Sequence, residues 1–196
     1  MTRTVAILIF EGAELLDFAG PAEVFIVAER GRAFRVLTVA ATRDPVTTMG
    51  GIAITPSCSF ADVPSADVLV LPGGDTKNVD EVGIEWIRST AARAEVVISV
   101  CYGAFLLARA GLLEGIEATT HHWGLDELAR AAPTCKVARG PRAVDAGKVV
   151  TTAGVTAGID GALHVVERFH GAEAARWAAE EWLEHARSPA AARNGP

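Results

Sequence analysis

The chain has 196 residues, half of them hydrophobic, and carries 18 Lys+Arg against 24 Asp+Glu for a formal net charge of -6. That length fits one domain with a sizeable buried core, and with no Lys/Arg stripe the composition argues against a nucleic-acid-binding surface. Cys58, Cys101 and Cys135 have no C-x-x-C spacing, which argues against a disulfide framework or a zinc ribbon and fits a reducing cytoplasm.

The elements follow from hydrophobic spacing. Thr4–Phe10 is a short apolar run that reads as a buried strand; it is too short for a signal-peptide core and is followed by Glu11. Ala19–Arg30 has helical spacing through Val24, Phe25, Val27 and Ala28, with Pro21 placed in the first turn. Phe34–Ala41 reads as a second strand, Gly50-Gly51 with Ile52–Thr55 as a small hairpin, and Asp67–Leu71 as a further strand ended by Pro72-Gly73-Gly74. Glu81–Arg93 is amphipathic around Val82, Ile84, Trp86 and Ile87. Val96–Val100 is a β-branched strand, followed by a helix whose apolar positions run from Ala104 to a stop at Gly111. The longest apolar run, Val96 to Ala108, falls short of the ~18–20 residues that cross a bilayer.

Beyond it, a helix is expected from about His121 to Ala131, a hairpin over Arg142–Thr152 turning at Ala146-Gly147, and two closing helices, Thr156–Phe169 and Ala172–His185. Residues 1–187 read as one domain, and Ser188–Pro196, rich in Ala, Arg and Pro, as a frayed tail. Strands alternating with helices predict an open, mainly parallel sheet covered on both faces, with its functional crevice at the carboxyl ends of the strands.

Three strand ends carry the chemistry. Cys101 falls where a strand turns into a helix, a position that holds a nucleophile out at the top of a sheet, and the adjacent helix N-terminus is expected to favour its thiolate. The competing reading is a small buried filler. Pro72-Gly73-Gly74 is either a plain turn or, with the amide of Tyr102, a set of backbone N–H donors for an oxyanion. Asp17, after Leu15-Leu16 and before Phe18, is either a helix N-cap or a carboxyl that carries a proton beside Cys101. Thr156 is expected to cap the penultimate helix. His121 and His122 read as structural residues at a helix start, and Trp123 is the tryptophan nearest the expected pocket.

The motifs L-L-D-F-A-G-P, L-P-G-G, S-V-C-Y-G-A-F-L-L-A-R-A-G-L-L, A-T-T-H-H-W and T-A-G-V-T-A-G-I-D, in this order from Thr4 to about His185, resemble the ThiJ/PfpI superfamily. Within it they are most similar to the isocyanide hydratase branch and to the amidase-like domains of AraC-type regulators. The resemblance implies a flavodoxin-like three-layer α/β/α sandwich, related to class I glutamine amidotransferases, with Cys101 as elbow nucleophile and Asp17 as the acidic partner. It also implies a homodimer acting on a small electrophilic substrate with no cofactor or metal, and the cysteine usage, charge pattern and apolar run lengths above add the expectation of a cytoplasmic protein with no nucleic-acid or membrane partner. The activity implied is addition of water to an isocyanide through a Cys101 thioimidate. The alternatives are a glyoxalase, deglycase or amidase-like hydrolase using the same thiol, or a ligand- or redox-sensing module. Tyr102 departs from the threonine usual after the nucleophile in the isocyanide hydratase branch, and His121 and His122 fall in the region where the protease- and deglycase-like branches bring a histidine up to the cysteine, which makes them its alternative partners.

Overall fold

The structure, a computed structural model, describes residues 2–185; the expected tail lies outside the described residues. In chain order the elements are β1 (Arg3–Leu8), α1 (Leu15–Gly31), β2 (Phe34–Ala40), β3 (Val46–Thr47), β4 (Ala53–Ile54), β5 (Cys58–Ser59), β6 (Val68–Leu71) and α2 (Glu81–Arg93). They continue with β7 (Val96–Val100), α3 (Gly103–Arg109), β8 (Glu117–Ala118), α4 (Leu125–Ala131), β9 (Lys136–Val137), β10 (Ala143–Asp145), β11 (Val149–Thr152) and α5 (Ala157–Trp177).

The main sheet runs β10-β11-β7-β6-β1-β2-β5. Every pairing in it is parallel except the β10–β11 hairpin. All residues of β6 and β7 are buried, as continuous Val/Ile/Leu runs require when helices cover both faces of a sheet. Helix α1 packs on α5, α5 lies over β7 and β11, and α3 lies over β6 and β7. The result is a three-layer α/β/α sandwich. Close approach of α5 needs its small residues: a Cβ at Gly161 would lie 2.4 Å from Thr152 Cγ2, and one at Gly158 2.9 Å from Val100 Cγ2. Among the described residues no helix is long and apolar enough to cross a membrane.

Register decides where the site lies. Ile7 pairs with Val70, Leu71 with Ser99, and Val100 with Thr152. The carboxyl ends of β1, β6, β7 and β11 therefore lie along one edge of the sheet, where the loops after them meet.

Several boundaries differ from those predicted. Helix α1 begins at Leu15, because the loop before it is pinned: Glu14 N–H donates to Gly73 O and Asp75 N–H to Gly12 O. Pro21 consequently lies in the second turn, and Asp17 is the third helical residue; Glu14 holds the cap position without a side-chain bond. The N-cap reading of Asp17 is thereby corrected. The segment from His121 begins as a 3-10 turn, His122–Gly124, before α4. Thr156 occupies the cap position of α5, but its Oγ1 accepts from Arg142 Nη2 rather than from the helix. The two closing helices run together, broken at Gly171 with φ +85° and followed by a π-helical turn at Ala178–Trp182. The two-residue strands β5, β8 and β9 had no signal in the sequence.

Candidate functional site

Cys101 is the first residue beyond β7 and has φ +55°, a left-handed conformation that costs a non-glycine residue on the order of 1–3 kcal/mol. Its surroundings hold it there. Its N–H donates to Ala153 O at 3.0 Å, and its carbonyl accepts from Thr120 Oγ1 at 2.6 Å. The following turn comes so close to β6 that a Cβ at Gly103 would lie 2.1 Å from Leu71 O. Such an elbow throws the side chain out over the strand ends, as the strand-to-helix pattern predicts.

The Cys101 thiol faces the Asp17 carboxyl and the backbone N–H groups of Tyr102 and Val155. Val155 is itself left-handed, with φ +50°. Asp17 is fully buried. Its Oδ2 accepts the Gly73 N–H at 2.9 Å, while Oδ1 has no hydrogen-bond partner of ordinary geometry. Only glycine fits at 73, where a Cβ would come within 2.6 Å of Tyr102 N and 2.7 Å of Asp17 Oδ2.

Burial dominates the electrostatics. It pushes the Asp17 carboxyl up to about 6, against the lowering effect of the Gly73 N–H and with a further raising effect from Glu14. It also pushes the Cys101 thiol up to about 12, reinforced by the charge on Asp17 and opposed by the Tyr102 and Val155 amides. The low-pKa thiolate predicted from the helix N-terminus is therefore corrected: desolvation and a neighbouring carboxylate outweigh the seven-residue helix α3. Burial raises both groups and the charge of each opposes ionisation of the other, so the pair favours holding a single proton between them.

Cys101 and Tyr102 open onto a mainly apolar cavity of about 210 Å³ that is also lined by Glu14, Met49 and Gly74. His121, Trp123 and Val155 complete its wall. Of the predicted residues, Gly74 lines the cavity, and its N–H bonds to nothing among the described residues. Gly73 does not serve as an oxyanion donor, because its N–H is committed to Asp17. His121 lines the cavity; its Nδ1 accepts from Trp123 N–H at 3.3 Å, and burial, followed by the neighbouring His122, lowers its pKa. His122 is exposed, packs on His121 with ring centroids 4.3 Å apart, and does not line the cavity. Trp123 stands at the mouth, 78% exposed.

Glu14, Met49 and Val155 are the cavity residues that sequence reasoning missed. Met49 arrives through tertiary docking: the β3–β4 hairpin hydrogen-bonds to the loop after β1 through Gly12 N–H to Thr47 O and Met49 N–H to Ala13 O. Glu14 was missed because the spacing predicts that α1 begins at Ala19, whereas the helix starts at Leu15 with Glu14 at its cap position. Among the described residues no group of His, Cys, Asp or Glu side chains is arranged to hold a metal ion.

A cysteine on a strand-to-helix elbow at the carboxyl edge of a parallel sheet, with a buried carboxyl beside it, defines a class of cysteine-centred sandwich folds. The DJ-1/PfpI family model matches residues 3–168, and the chain belongs to that family. It is 35% identical over 192 residues to the isonitrile hydratase of Pseudomonas putida, covering 96% of this chain and 81% of that protein. It is 27% identical to the HTH-type transcriptional regulator GbdR of Pseudomonas aeruginosa over 87% of this chain and 48% of the regulator. Among solved structures, a ThiJ/PfpI family protein from Pseudomonas syringae superposes with a TM-score of 0.85 at 31% identity, covering all of this chain and 80% of that one.

Proposed function

We propose that the protein is a cysteine-dependent enzyme that adds water to an isocyanide and releases an N-substituted formamide. The observation that carries this reading is the Cys101–Asp17 pair: the thiol lines a small, mainly apolar cavity, and the buried Asp17 carboxyl lies directly beside that thiol. The likeness to an isonitrile hydratase supports it. The terminal carbon of an isocyanide must receive both a nucleophile and a proton, so a thiol with an adjacent proton carrier matches its needs.

Above about pH 6 the proton rests on sulfur and Asp17 is a carboxylate. As Sγ bonds to the isocyanide carbon, Asp17 takes the thiol proton and delivers it to that carbon, giving R–N=CH–S–Cys101. The Tyr102 and Val155 N–H groups stabilise the charge that develops on sulfur. Water then adds, OH to carbon and H to nitrogen. Asp17 takes the hydroxyl proton as the C=O bond forms and the C–S bond breaks, and it returns that proton to sulfur. R–NH–CHO leaves with the pair restored.

The test incubates the protein in parallel with a short alkyl isocyanide and with methylglyoxal. Formamide production that is lost in Cys101→Ala supports the reading; consumption of the aldehyde alone overturns it.

A further inference from the structure

A second cavity, of about 390 Å³, lies directly beside the reaction cavity. It is lined by the apolar side chains of Phe105, Ala108 and Ala131 and by the charged residues Lys77, Arg109 and Glu127. The two cavities share two lining residues, Gly74 and Tyr102. Gly74 contributes no side chain and cannot move aside: with φ +105°, a Cβ there would lie 2.2 Å from Gly12 O. The Tyr102 ring is therefore the one side chain that lines both spaces.

The ring is held by packing. It lies against Gly124, where a Cβ would come within 2.8 Å of Tyr102 Cε1, and meets Phe105 edge-on with centroids 5.3 Å apart. Its hydroxyl makes no hydrogen bond with the described residues. We infer that the Tyr102 ring is a partition that sets substrate size: in place, it confines the group on the isocyanide nitrogen to the reaction cavity, and its removal joins that cavity to the second one. The joined space takes long N-substituents with an apolar stem and a polar end, matching the apolar and charged residues that line the second cavity. This inference rests on the proposed function only for its choice of substrate.

The test compares wild type, Tyr102→Phe and Tyr102→Ala in two assays, with thermal melts alongside. The first measures kcat/KM for a short alkyl isocyanide and for a biphenyl isocyanide. The second needs no turnover: it follows alkylation of Cys101 by iodoacetamide and by its N-biphenyl derivative, using intact mass and peptide mapping. In both assays the long-to-short ratio is expected to rise at least about tenfold in Tyr102→Ala and to stay at the wild-type value in Tyr102→Phe. Tyr102→Leu, which keeps an apolar side chain against Gly124 and Phe105, carries the test if the alanine variant does not fold. Unchanged ratios in the folded variants overturn the partition. Absence of formamide with a shifted alkylation ratio overturns the substrate reading and leaves the partition standing.

Discussion

At the scale of residues, the account turns on one proton shared between Cys101 and Asp17. Cys101→Ala is expected to abolish turnover with the melt preserved, whereas Cys58→Ala and Cys135→Ala keep it; a formamide assay on the three proteins decides. The pH profile follows from the pair. Below about 6, Asp17 is protonated and cannot accept the thiol proton, so kcat/KM is expected to rise about tenfold per pH unit up to that value and stay level to about pH 9. Glu14→Gln, which removes a raising influence on Asp17, moves this limb to lower pH. Asp17→Asn keeps an acceptor for the Gly73 N–H but cannot carry a proton, and the chemical step is expected to fall by about 10²–10⁴. The same change stabilises the fold. The folded pKa of Asp17 is raised from 3.8 to about 6, so its favourable contribution is complete below the unfolded value and is lost as pH rises through the folded one. A shift of this size is worth about 3 kcal/mol. Asp17→Asn should melt above wild type at pH 8, with the difference closing near pH 4; a lower melt at pH 8 would contradict the desolvated carboxyl.

At the scale of elements, the site depends on backbones meeting at van der Waals distance. Gly73→Ala has no backbone penalty, since Gly73 is not left-handed, but its Cβ would intrude between Asp17 and the Tyr102 amide. It is expected to cost about 1–3 kcal/mol of stability and to reduce turnover far more than that loss of folded protein explains, as parallel melts and kinetics would show. This scale also separates what the sequence made legible from what it did not. Helix α2 spans the residues its apolar periodicity predicts, and β7 matches its β-branched run. The Cys101 elbow was legible because a strand pattern ran straight into a helical one. The start of α1 was not, because it is set by contacts with Gly73 more than fifty residues away. Val155 was invisible for a similar reason: nothing in a β-branched residue announces a positive φ, which the neighbouring loops impose.

At the scale of the whole molecule, the alternating pattern of strands and helices specified the three-layer sandwich, and ordered motifs specified the family. The electrostatics did not follow from the pattern. The helix N-terminus pointed toward a thiolate, but burial is a property of the assembled layers, and it reversed that expectation. The homodimer expected of the family is a proposal that sedimentation velocity tests: a species of twice the monomer mass supports it, and a monomer at micromolar concentration contradicts it. The most direct test of the central claim is rapid acid quench of a single turnover with a short alkyl isocyanide, read by intact mass and peptide mapping. A transient species heavier by the full mass of the isocyanide, mapped to the peptide holding Cys101 and decaying as formamide appears, is expected. Formamide appearing at full rate with Cys101 unmodified, or with the adduct on Cys58 or Cys135, would contradict it.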